Sequence, residues 1–353
     1  MNKLKKIGLS ALCGSLAAAT GANAGELSVS GSATVSYTSV DGDVTGNPLG
    51  MNSGMTFVGS GELDSGATYK YTLTQADQTA YSAGSIVLTT AFGTFGLGHG
   101  HGGHGIDAYD DAMPTAWEET WGTGVGTGVH LVNGIGSSTN VQYKTPVVPV
   151  LGMTLAVAYA GKVDGTQIND KGNSAAGSDD TGHGYDAVVT LNPNWGGWNS
   201  GLNIFAGGHV TRGTNPNPTV VDDSHNDDAA EGVLGATFAL GPVTIGAQKT
   251  AEYVKGAKRT GTDPDYYTGK HYGVSFQVND DLSLSWGNMV SKKYFVDPGN
   301  NEAVEIDAES WQIAYSMGGI AFKFAETSVD NATYTSGTSA DKDGTTLAVT
   351  FAF

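Results

Sequence analysis

The decapeptide at the end of the chain, GTTLAVTFAF, constrains the fold more than any other stretch. Leu347, Val349, Phe351 and Phe353 fall on one face, and Thr346, Ala348, Thr350 and Ala352 on the other. Period-two alternation of this kind specifies a strand with one apolar and one polar side. The stretch from Glu26 to Thr38 does the same, with Leu27, Val29, Gly31, Ala33, Val35 and Tyr37 set against serines and threonines. Both ends of the sequence therefore read as strands of one kind.

Between them the pattern recurs. It predicts strands over 26–38, 54–63, 67–76, 84–91, 94–98, 139–146, 152–161, 183–192, 201–212, 230–240, 242–252, 269–279, 282–292, 305–317, 319–328 and 344–353, sixteen in all. Their connections alternate strictly between short and long. The short ones are Asp64-Ser65-Gly66, Phe92-Gly93, 146–151, 193–200, Gly241, 279–281 and Gly318, most of them rich in turn formers. The long ones begin near Ser39, Asp77, His99, Lys162, Gly213, Tyr253, Lys293 and Val329. A soluble sandwich has no reason to sort its loops by length onto two ends, whereas a transmembrane barrel keeps tight turns on one side of the bilayer and long loops on the other.

No apolar run after residue 24 approaches the roughly 18 residues of a membrane helix. A barrel needs none, because its strands alternate residue by residue. Outward-phased positions carry Tyr69, Tyr71 and Leu73, Leu155, Val157 and Tyr159, Trp311, Ile313 and Tyr315; their inward neighbours are Lys70, Thr72, Thr74, Thr154, Gln312 and Lys323. Closing the sheet removes the unpaired edge that hydrocarbon would not tolerate. The expected fold class is all-β, a transmembrane antiparallel barrel of sixteen strands. One sector presents only small outward residues, Gly31, Ala33, Gly59 and Gly61, and is expected to meet another copy of the chain in a closed ring.

Residues 1–24 carry a basic start at Lys3, Lys5 and Lys6, an apolar core and an Ala22-Asn23-Ala24 processing site, the features of a secretory signal; 25–353 then forms the barrel as a single domain. The one cysteine, Cys13, falls inside that signal, so the exported chain has no disulfide. Removing the three signal lysines from the 17 basic residues leaves 14 against 35 acidic, a net charge of −21. Such a balance disfavours nucleic acid and anionic partners.

The whole length resembles a Gram-negative outer-membrane general-diffusion porin of the trimeric, sixteen-stranded type. The most local element of the likeness is Phe92-Gly93-Thr94-Phe95-Gly96-Leu97-Gly98, similar to the FG hairpin those porins place before their third external loop, together with the terminal Phe353, which in the family serves as the assembly signal for the outer membrane. The resemblance implies a homotrimer in the outer membrane, among lipid and lipopolysaccharide, passing small hydrophilic solutes without enzymatic chemistry. It also implies that the third loop, about 99–138, folds into the lumen and narrows the pore. The arginine cluster that many of these porins set against that loop is missing: His99 follows the hairpin, and Arg212 and Arg259 are the only arginines, both near external loops.

The loop holds Asp107, Asp110, Asp111, Glu118 and Glu119 and no lysine or arginine. Carboxylates at a narrow, low-dielectric constriction attract cations and repel anions. These five are expected to form the eyelet, with Lys70, Lys144 and Lys323 on the opposing wall. His99, His101 and His104 form an H-x-H-x-x-H cluster with the spacing of transition-metal ligands, although a solvated polar loop explains it at least as well. No cofactor is required; Asp222, Asp223, Asp227 and Asp228 are candidates for calcium or other divalent cations. A sugar-specific channel using Trp117 and Trp121 as stacking surfaces is the alternative membrane reading, and an acidic secreted adhesin the alternative from another class.

Overall fold

The computed structural model describes residues 25–41, 47–77, 83–149, 151–163, 181–193, 201–213, 228–254, 261–299 and 301–353. The expected signal segment, Arg259, Asp222, Asp223 and Asp227 lie outside them. The strands are β1 (Glu26–Val40), β2 (Leu49–Glu62), β3 (Thr68–Ala76), β4 (Ala83–Thr90), β5 (Gly93–His99), β6 (Asn140–Lys144), β7 (Met153–Ala160) and β8 (Thr181–Leu191). They continue as β9 (Leu202–Gly213), β10 (Ala229–Leu240), β11 (Val243–Tyr253), β12 (Pro264–Gln277), β13 (Leu282–Phe295), β14 (Val304–Met317), β15 (Ile320–Asp330) and β16 (Lys342–Ala352). Each pairs antiparallel with its sequence neighbours, and β1 closes on β16, giving one sixteen-strand barrel.

Every predicted strand forms. The largest differences are extensions at the long-loop side, β2 starting at Leu49 rather than 54 and β12 at Pro264 rather than 269, while β6 is shorter than its expected 139–146. Neither start is legible from local pattern. β2 is prolonged because Leu49 and Met51 find partners in Tyr37 and Val35 of β1. β12 is prolonged across a register shift between Pro264 and Tyr266, where Tyr266 stacks on Tyr294 at 4.1 Å; a proline at a strand's first residue forfeits no ladder bond it would need.

Alternation holds around the wall. Trp311 is 60% exposed while its neighbours Ser310 and Gln312 are 0% and 3% exposed, so the apolar side faces outward and the polar side faces the enclosed space. The seam is sealed by the last residue: Gly31 N–H donates to the Phe353 carbonyl at 2.8 Å, and Phe353 N–H to that of Gly31 at 2.9 Å. A Cβ at Gly31 would lie 2.6 Å from the Phe353 ring, and one at Gly61 would lie 2.5 Å from the Tyr69 hydroxyl, whereas Gly59 has open space before it. Two glycines of the small-residue sector, Gly31 and Gly61, thus seat aromatic rings of the same chain, the close approach a strand glycine often marks, while Gly59 has nothing against it.

Candidate functional site: the loop between β5 and β6

The connection from His99 to β6 is described throughout and carries no long helix, only 3₁₀ turns at Gly105–Tyr109 and Thr120–Gly122. Loops of this length need anchors for their backbone polar groups, and here the polar face of the wall supplies them in sequence order. Tyr109 stacks on Phe205 of β9 at 4.3 Å and bonds Thr190 of β8 at 2.9 Å. Ser285 of β13 accepts from Ala116 N–H at 2.8 Å, and Gln312 of β14 both accepts from Glu118 N–H and donates to its carbonyl. Thr346 of β16 donates to the Thr123 carbonyl at 2.6 Å.

The return limb is held by acids, one of which ties it to the first limb. Asp186 of β8 accepts from Ile106 and Ile135 N–H at 3.3 and 3.4 Å, and pairs with the buried ring of His209. Glu231 of β10 accepts from Asn133 and Gly134 N–H at 2.7 and 3.1 Å, and Glu252 of β11 pairs with His130. The loop therefore lies along the inside of the barrel from β8 to β16. Wall glycines make room for it: a Cβ at Gly246 would sit 2.6 Å from the Pro114 ring, one at Gly273 2.8 Å from the Pro114 carbonyl, and one at Gly287 2.7 Å from the Thr120 hydroxyl. The last long connection joins in, with Tyr334 bonding both His130 N–H and Ser291.

The loop's carboxylates crowd one another with no cation among them. Burial, reinforced by Asp111 and Asp107 nearby, pushes Asp110 up to about 7. Glu119 goes up to about 8, through burial and a hydrogen bond shared with Glu118. Asp107 is also raised by burial, partly offset by the N–H of Gly103 that it accepts at 2.5 Å. Asp111 is exposed. The arrangement can hold a variable negative charge across the neutral range.

A model of the family described as Gram-negative porin matches residues 8–353. The chain belongs to that family. Among solved structures, a Salmonella typhi OmpF complex with daunomycin superposes with a TM-score of 0.66 at 14% identity, covering 94% of this chain and 98% of that one. A loop-deletion mutant of OmpT, an outer-membrane protein of Vibrio cholerae, gives 0.63 at 13% identity over 94% and 100% of the two chains. A mutant of the Rh. blastica porin gives 0.56 at 14% identity over 93% and 100%. No curated protein matches the sequence. The protein is thus an outer-membrane channel protein of the porin type.

Within this porin the lysines do not stand together against the loop. Lys323 projects on the covered side, its ammonium 5.5 Å from the Trp117 ring. Lys144 lies beneath the loop's first limb, and only Lys70 of β3 stands on wall that the loop leaves bare. Strand parity had given the face of each lysine but not its position around the barrel. Lys342, which reaches the Gly126 carbonyl at 3.3 Å, escaped notice because β16 begins two residues earlier than its pattern shows. Arg212 points outward at the end of β9 and pairs with Asp228, so it adds nothing to the lumen.

The histidine cluster does not converge. His99 bonds Thr139 at 3.1 Å, and the His101 and His104 rings tilt at a 5.0 Å centroid separation. Burial, with His101 alongside, holds His104 down at about 4, so its ring is neutral. Among the described residues no three acidic, histidine or cysteine side chains are placed to hold a metal. The wall anchors Asp186, Glu231, Glu252 and His209 also went unrecognised in the sequence. The available signal was inward phase: a charged or ionisable residue on the polar side of a strand, each with at least one alanine or glycine beside it.

Proposed function

We propose that the protein is a passive, cation-preferring diffusion pore for small hydrophilic solutes, narrowed by the loop between β5 and β6. The observation that carries this is the loop itself: five carboxylates and no lysine or arginine, held along the lumen wall and leaving β2 and β3 uncovered, where among the described residues Lys70 is the only lysine or arginine and serine and threonine dominate. In a narrow low-dielectric channel that imbalance concentrates cations. Trp117 and Trp121 do not support the sugar-stacking alternative. Trp117 donates to the Phe324 carbonyl at 3.0 Å, and the Trp121 Nε1 is buried.

Further parts of the reading are export by way of the 1–24 signal, assembly recognition of Phe353, a homotrimer meeting near Gly59, and contact of acidic external loops with lipopolysaccharide through divalent cations. Reversal potentials across a planar bilayer in a salt gradient test the central claim. A positive cation preference is expected, and a clear anion preference rejects it. For the trimer, Gly59→Phe should release monomers in detergent without disturbing the Phe353 seam; a persistent oligomer would place the interface elsewhere.

A further inference from the structure

Beneath the first limb of the loop the lumen wall is recessed. The inward residues there are short: Gly96 of β5, Ala156 and Ala158 of β7, Val188 of β8. The loop backbone at Gly103, Gly105 and Ala108 roofs the space, with Gly103 and Gly105 in the left-handed conformation that lets the chain turn over it. The recess, open on its turn side, has a volume of about 250 Å³. At about 30 Å³ per water, that is room for one compact six-carbon solute.

The rim of the recess is polar and carries one sign of charge. Lys144 and Thr94 face each other across the β5–β6 ladder, and Thr154 and Thr190 across β7–β8. Gln142 sits between them on β6. Among the described residues no carboxylate lines the recess: Asp107 and Asp186 lie behind its roof, one engaged by the Gly103 N–H and the other by the His209 ring, and Lys144 enters no ion pair. His104 on the roof is neutral. An uncompensated ammonium beside a low-dielectric floor favours an anion, and clustered threonine and amide groups favour a partner with hydroxyls to exchange for water. The aliphatic floor suits the C–H face of such a molecule.

Position decides how the anion arrives. Thr94, Lys144, Thr154 and Thr190 all lie within a few residues of short turns, on the far side of the loop from the external connections. A solute entering from the turn side meets Lys144 without passing the acidic loop. We infer that this recess is a binding site for a small polyhydroxylated monocarboxylate, reached from the turn side of the barrel. The inference rests on the channel reading above and adds a retained solute class to it.

The test uses the full-length purified protein in planar bilayers, with gluconate, glucose and acetate added in turn to each chamber. Gluconate should block the open current from one chamber only, at least tenfold more potently than glucose, which lacks the charge, or acetate, which lacks the hydroxyls. Lys144→Ala and Ala156→Leu, the latter filling the floor, should each weaken that block at least fivefold relative to the variant's own open current. Block that glucose or acetate matches, that is equal from both chambers, or that survives both substitutions overturns the inference. Channels that conduct potassium chloride yet show no gluconate block overturn it while leaving the pore reading intact; absence of any conductance overturns both.

Discussion

The two arcs of the lumen wall follow one alternation rule yet differ in what fills it. On the bare arc, the turn-side half of β1 with β2 and β3, inward positions are Ser28, Ser30, Thr56, Thr72 and Thr74 with Lys70 among them, all at least partly exposed. On the covered arc, β8 to β14, they are glycine where the loop presses close, at Gly246, Gly273 and Gly287, and ionisable where the loop needs partners, Asp186 and Glu231 for its backbone N–H groups and Glu252 for the His130 ring. The bare arc satisfies its polar groups with water. The covered arc must satisfy another piece of chain, so each residue there is set by one particular contact.

That contrast can be broken most severely at Asp186, which is 2% exposed. Asp186→Leu strands the His209 ring and removes the acceptor for two loop N–H groups, a loss of about 3–5 kcal/mol for a buried pair broken on one side. The loop should become open to chymotrypsin at Tyr109 and Trp117 in folded barrels; continued resistance would mean that the other anchors suffice. Gly273→Val comes next. Its Cβ would press on the backbone of Pro114, which has no flexible end to yield, at about 1–3 kcal/mol of overpacking. Single-channel conductance should fall and grow noisier as the Met113–Pro114 segment is pushed toward the pore axis.

A gentler probe is pH. Asp110 near 7 and Glu119 near 8 are largely neutral at pH 6 and largely charged at pH 9, so reversal potentials should show cation preference rising across that interval. Asp110→Asn combined with Glu119→Gln should flatten the rise. The sign for docking is opposite: both groups hold their protons more tightly in the docked loop than free in water, so their contribution to docking is complete at acidic pH and fades as pH climbs through 7 and 8. The smallest effect belongs to the bare arc. Thr72→Val touches no loop residue and should shift the thermal transition of the barrel by no more than about 0.5 kcal/mol, leaving the current trace unchanged.

The same division separates what could be read in advance from what could not. Sixteen strands, their antiparallel order and the sorting of long from short connections are local and periodic properties, and they were legible in the alternation of segments such as Leu347 to Phe353. The five loop carboxylates were legible as a group because no lysine or arginine interrupts them. The raised proton affinity of Asp107, Asp110 and Glu119 was not, since it comes from burial in the docked loop and from neighbouring carboxylates.

The sequence by itself determined the barrel, because period-two alternation leaves a strand only one way to satisfy lipid on one side and water on the other. Tertiary structure decided the rest. It put Lys323 beside Trp117 instead of opposite the loop, gave Gly31 and Gly61 to aromatic rings of their own chain, and turned Asp186 and Glu231 into loop anchors. The physical reason is that alternation fixes which face a side chain occupies, while its partner depends on curvature, register and the path of a loop 80 residues distant in the chain, as the span from Ile106 to Asp186 shows.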